Sequence, residues 1–81
     1  MYRAMLRDHL AEAERHVASG ERIVARQKIL VAEMICNHRD SHEAKSLLVL
    51  FEKVLSQFLA DRNRLRAALA KRPGAPPLQP R

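Results

Sequence analysis

The sequence predicts an all-α protein, a long antiparallel helical hairpin that dimerises into a four-helix bundle. Three observations lead there. An apolar seam runs from Leu6 to His38 in steps of four and three: Leu6, Leu10, Ala13, Val17, Gly20, Val24, Gln27, Val31, Met34, His38. That spacing brings one side chain per turn to the same helix face, and a sustained 3.5-residue repeat suits a supercoiled partner. A second run of helical periodicity, about residues 41–70, follows after a short polar interruption. Its apolar stripe is broader than one facing helix covers, which is the mark of an association surface.

The first helix is expected over residues 2–38, about 50 Å at 1.5 Å per residue. Gly20 lies on its seam beside Ser19. A mid-helix glycine costs about 1 kcal/mol relative to alanine. Because the repeat continues unchanged on both sides, Gly20 is read as a close-packing position rather than a break. Asn37, His38 and Arg39 interrupt the pattern. Asp40 or Ser41 then offers an N-cap, and with Asp40 as the cap Glu43 falls at the third helical position, as in a capping box. So short a connection makes the two helices antiparallel neighbours.

The second helix, expected over residues 41–70, carries Ala44, Leu47, Leu48, Phe51, Val54, Leu55, Phe58, Leu65 and Leu69 at helical spacing, with Leu50 and Leu59 widening the stripe. Residues 1–70 therefore form one two-helix unit. The tail, residues 71–81, holds Pro73, Gly74, Pro76, Pro77 and Pro80. Proline stops the helix, and the segment is too poor in apolar residues to pack, so a disordered basic tail is expected.

Charge and cysteine usage narrow the function. Residues 1–38 carry six basic and five acidic side chains, residues 39–70 six and four, and residues 71–81 three and none, for a net charge of +6. Half the excess thus lies in the tail, and the helices are nearly balanced, as on solvated, salt-bridged faces. Cys36 is the only cysteine, which excludes an internal disulfide and reads as a small buried hydrophobe in a reducing cytoplasm. The longest apolar run, Leu47 to Phe51, is far short of a membrane span, and the N-terminus has no signal-peptide pattern. A soluble, cytoplasmic protein without membrane association is expected. Catalysis finds no support: there is no Gly-rich phosphate loop, nucleophile–base motif or carboxylate pair with a pocket around it, and no cofactor is implied.

The leading reading is therefore a non-enzymatic interaction or scaffold module, binding itself or a helical partner protein. Its expected interface is Leu10, Val17, Gly20, Val24 and Val31 on the first helix with Leu48, Phe51, Leu55 and Phe58 on the second. With a tight turn, paired positions sum to about 79. That register sets Gly20 opposite Leu59 or Ala60, Gln27 near Glu52 and Lys53, and His16 near Asp61. His16, Gln27 and Asp61 are then expected to form polar layers within the seam that set register.

Two alternatives come from other clusters. Arg3, Arg7, Arg62, Arg64, Arg66, Lys71 and Arg72 gather at the open end of the hairpin, where they would suit phosphates of a nucleic acid. Aromatic stacking partners are lacking beyond Tyr2, and no helix-turn-helix pattern is present. A metal-binding bundle is the other alternative, built from His9, Glu12 and His16 across a dimer. Only Glu12 and His16 have chelating spacing, so no metal site is assigned within one chain.

The run from His9 to Arg22 (HLAEAERHVASGER), with Ala25-Arg26-Gln27-Lys28 after it and Ala60-Asp61-Arg62 and Arg64-Leu65 in the second helix, resembles a group of short alphaproteobacterial helical proteins without assigned activity. The resemblance covers about residues 6–70 and departs at the turn and the Pro-rich tail. It implies a small stand-alone cytoplasmic protein and brings no catalytic or ligand-binding residues with it.

Overall fold

The computed structural model describes residues 2–71. Two helices account for almost all of them: α1, Tyr2–Cys36, and α2, His42–Ala70, packed side by side and antiparallel. The expected tail lies outside the described residues apart from Lys71, which leaves α2 in an extended conformation.

Helix α1 runs unbroken through Gly20 and buries Leu6, Ala13, Val17, Gly20, Val24, Gln27 and Val31, one side chain or glycine per turn. Most are small. Into the shallow groove they leave, α2 inserts larger side chains, and the geometry at Gly20 shows why. A Cβ built there would lie 3.1 Å from Leu55 Cδ1 and 3.5 Å from Phe58 Cδ2. The glycine lets Leu55 of α2 lie a few tenths of an ångström closer than an alanine would allow.

The burial is one-sided. On α2 only Ala44 is buried, while Leu48, Phe51, Leu55, Phe58, Leu59, Leu65 and Leu69 remain half-exposed. One narrow helix does not cover their stripe. No large side chain among the described residues is completely buried.

Helix α1 ends two residues before the expected boundary, in a Schellman motif. The His38 amide donates to the Ile35 carbonyl oxygen at 3.1 Å, and the Arg39 amide donates to that of Met34 at 2.8 Å. This pairing needs a left-handed residue, and His38 supplies it with φ 56°. The chain then doubles back beside the last turn of α1, and Ser41 becomes buried. Ser41 occupies the N-cap position of α2 without a side-chain bond to the helix. The capping is done by Asp40, whose Oδ1 accepts from the His42 amide at 3.0 Å.

Because α2 begins beside α1 rather than beyond it, the contacts across the seam differ from the expected pairing. Gly20 faces Leu55 and Phe58, not Leu59 or Ala60. Gln27 reaches Ala44, not Glu52 or Lys53.

At the open end, Arg3 reaches across to α2. Its Nη2 donates to the Leu69 carbonyl oxygen and its Nη1 to that of Lys71, both at 3.0 Å. The last turn of α2 has no basic residue of its own, so α1 supplies the cation that terminal carbonyls favour.

Candidate functional site

The hairpin has two flanks where α1 and α2 meet, and they differ. On one flank, toward the open end, lies a groove of about 450 Å³. His9, Glu12, Ala13 and His16 of α1 form one wall, and Asp61, Arg64, Leu65 and Ala68 of α2 form the other. His16 Nε2 is 3.9 Å from Glu12 Oε1, and its ring lies on Phe58 with centroids 5.1 Å apart. Asp61 pairs with Arg64 one turn along its own helix.

The same flank continues toward the turn with a different character. Seven residues are nearly two helical turns, so a seven-residue step stays on one flank. From His16 such steps reach Ile23 and Leu30; from Asp61 they run back to Val54 and Leu47, and from Arg64 to Gln57 and Leu50. These aliphatic side chains are open to solvent: Ile23 is 47% exposed, Leu30 43%, Leu47 45%, Leu50 52% and Val54 37%. The flank is therefore polar in its open half and apolar in its turn half.

The opposite flank is closed by charge. Arg66 Nη2 donates to Glu14 Oε2 at 3.1 Å across the two helices. Seven-residue steps from Glu14 give Glu21 and Lys28, and from Arg66 back they give Leu59, Glu52 and Lys45. Charge predominates on this flank, though the α1 column ends in the exposed Ile35.

The residues expected as an intermolecular interface divide in two ways. Val17, Gly20, Val24 and Val31 are buried between α1 and α2 of one chain. Leu10, Leu48, Phe51, Leu55 and Phe58 are half-buried at that same seam. Ile23, Leu30, Leu47, Leu50 and Val54 are the exposed aliphatic side chains that follow the groove toward the turn, while Tyr2, Met5, Ile29, Ile35 and Val49 are exposed as well. The signal for the α1 members was a column beside the seam, in which His9, His16, Ile23 and Leu30 recur every seven residues.

The expected polar layers are also corrected. Gln27 is buried, and its Nε2 donates to the Ala44 carbonyl oxygen at 2.9 Å. His16 and Asp61 are exposed, on the groove walls rather than inside the seam, and each pairs within its own helix. They line the same groove, near each other as the expected pairing placed them, but beside the seam rather than in its centre.

Of the expected basic cluster, Arg3 holds the end of α2, Arg64 pairs with Asp61 and Arg66 with Glu14. Arg62 is half-buried and donates to Asn63 Oδ1 at 3.0 Å from Nη2 and 3.3 Å from Nε. Arg7 and Lys71 are exposed, and Arg72 lies outside the described residues. Among the described residues no three His, Cys, Asp or Glu side chains come together to hold a metal ion, and no helix is long and apolar enough to cross a membrane. Cys36 is exposed near the turn, not buried as a small hydrophobe.

Comparison with protein-family models, curated proteins and solved structures finds no match to this chain.

Proposed function

We propose that this chain is a non-enzymatic protein–protein interaction module that works as a homodimer. The apolar half-flank of one hairpin covers that of a second copy, completing a four-helix bundle. The observation that carries this reading is the exposed row Ile23, Leu30, Leu47 and Val54 on one flank, set against a charged opposite flank. A contiguous apolar surface of this kind is costly to leave in water, at about 25 cal/mol per Å².

Size supports the reading. The apolar half-flank, about 25 Å by 15 Å, covers on the order of 400 Å² per copy, and contact along the whole flank, groove included, brings this to on the order of 800 Å², the scale of a stable interface. The half-exposed Phe51, Phe58 and Leu65 of α2 would gain their missing cover in the same step.

Light scattering coupled to size exclusion tests it. The expected mass is twice 9.3 kDa at micromolar concentration. Ile23→Lys or Leu47→Lys should yield a monomer that keeps most of its helical circular dichroism. A wild-type monomer under these conditions would remove the homodimer and leave the flank for a helical partner protein.

Nucleic-acid binding through the open end is the weaker reading, because Arg3, Arg64 and Arg66 are engaged with protein groups. Excess absorbance at 260 nm in the purified protein, with salt-dependent retention of DNA, would restore it.

A further inference from the structure

We infer that the two copies associate with their turns at the same end, about a two-fold axis running along the hairpin, so that the polar grooves of both copies close on each other. This rests on the homodimer proposed above. The division of the flank selects the orientation. Ile23, Leu30, Leu47 and Val54 occupy the turn half, while the groove carrying His16, Asp61 and their charged neighbours occupies the open half.

Turning the copies end for end over their full length would lay each apolar half on the other's polar half. Every buried donor or acceptor left unpaired costs about 1–3 kcal/mol, and several would be created. Sliding the copies until only the apolar halves overlap avoids that penalty but gives up about half of the interface area. A same-end arrangement incurs neither loss. Apolar halves meet along their length, and polar halves meet polar halves.

Charge complementarity supports the same choice. Glu12 and Arg64 lie on opposite walls of one groove and hence at one level along the hairpin. A two-fold axis along the hairpin preserves levels, so Glu12 of each copy comes level with Arg64 of the other. Each α1 then has only α2 helices as neighbours and every adjacent pair is antiparallel, as helix dipoles favour; an end-for-end arrangement would be equal in that respect, so the choice rests on the division of the flank and the charged pair. Polar layers that match only in one alignment are a known means of fixing orientation in helical bundles.

Two spin-labelled samples decide the matter. Native Cys36 near the turn carries the label in one. In the other, Ala11→Cys in a Cys36→Ser background places it toward the open end; both positions are exposed. Pulsed dipolar spectroscopy should give an intermolecular distance of about 30 Å at both positions, from a bundle diagonal plus the label arms. A distance beyond about 45 Å at either position, in a sample whose mass is dimeric, overturns the same-end arrangement and leaves the homodimer standing. Monomeric mass with no dipolar signal overturns both.

Discussion

The Gln27 side chain donates from Nε2 to the Ala44 carbonyl oxygen at 2.9 Å, joining the middle of the α1 seam to the first turn of α2. The amide is buried, and the carbonyl it reaches belongs to a helix that already supplies it with a backbone partner. Gln27→Ala removes the bond and leaves a void, so it should destabilise the protein by about 1–2 kcal/mol. Gln27→Leu fills the space and leaves no orphaned acceptor, so it should be at least as stable as the wild type. Urea titrations at one fixed protein concentration compare them. A leucine variant as unstable as the alanine variant would show that the bond itself, not the packing, is what matters.

At Gly20 two effects of similar size oppose each other. Alanine gains about 1 kcal/mol of helix propensity. Its Cβ meets Leu55 Cδ1 at 3.1 Å, and that atom is the end of a flexible, half-exposed side chain able to move by a few tenths of an ångström. Gly20→Ala is therefore expected to be neutral or stabilising by less than about 1 kcal/mol. Gly20→Val adds two methyl groups that Leu55 and Phe58 leave no room for, and should cost about 1–3 kcal/mol. Thermal melts of both variants give the comparison. A large loss for alanine would mean that α2 is held too rigidly for Leu55 to yield.

Arg3 joins the two ends of the hairpin by holding the Leu69 and Lys71 carbonyls. Arg3→Ala should cost about 1 kcal/mol, the lower end for bonds to a charged group because the site is partly solvated. The loss should be local. Amide exchange should speed up through residues 66–70 while the amides near Gln27 stay protected. Arg3→Lys should restore part of the effect, because one ammonium does not span two carbonyls as a planar guanidinium does.

His38 holds a left-handed conformation, with φ 56°. For a residue with a Cβ that conformation costs roughly 1–2 kcal/mol, part of which glycine would return through the greater freedom of the unfolded chain. His38→Gly should raise stability by about 0.5–1 kcal/mol, with unchanged helicity by circular dichroism. A destabilised glycine variant would mean that the imidazole makes a contribution of its own at the turn.

Much of the fold was legible from the residues. The seam of α1 and the stripe of α2 predicted two antiparallel helices, with boundaries within two residues of the observed ones, because apolar periodicity is a local property. The register was not legible. It depends on His38 adopting the conformation usually assigned to glycine, and no residue type announced that. The assumed pairing misplaced the partners of both Gly20 and Gln27. Which flank stays open was hidden for a related reason. Ile23 and Leu30 lie close to the seam by periodicity, and only the direction from which α2 approaches decides whether they are covered. Arg3 read as a free cation since its acceptors are backbone carbonyls, which carry no sequence signature.

The distribution of cross-links along the hairpin also sets an order of assembly. The Gln27–Ala44 bond spans 17 residues, whereas the Arg3 bonds span 66 and 68. Closing a short loop costs less chain entropy than closing a long one, and here each closure brings the next pair within reach. The Schellman turn thus acts as the fixed end of a zipper that closes upward past Gly20 to Arg3 and opens in reverse. Fraying at the open end is the low-energy excursion, so the groove walls separate while the apolar row beside the turn still holds its shape. The surface proposed to meet a second copy thus lies in the part of the chain expected to form first and be released last.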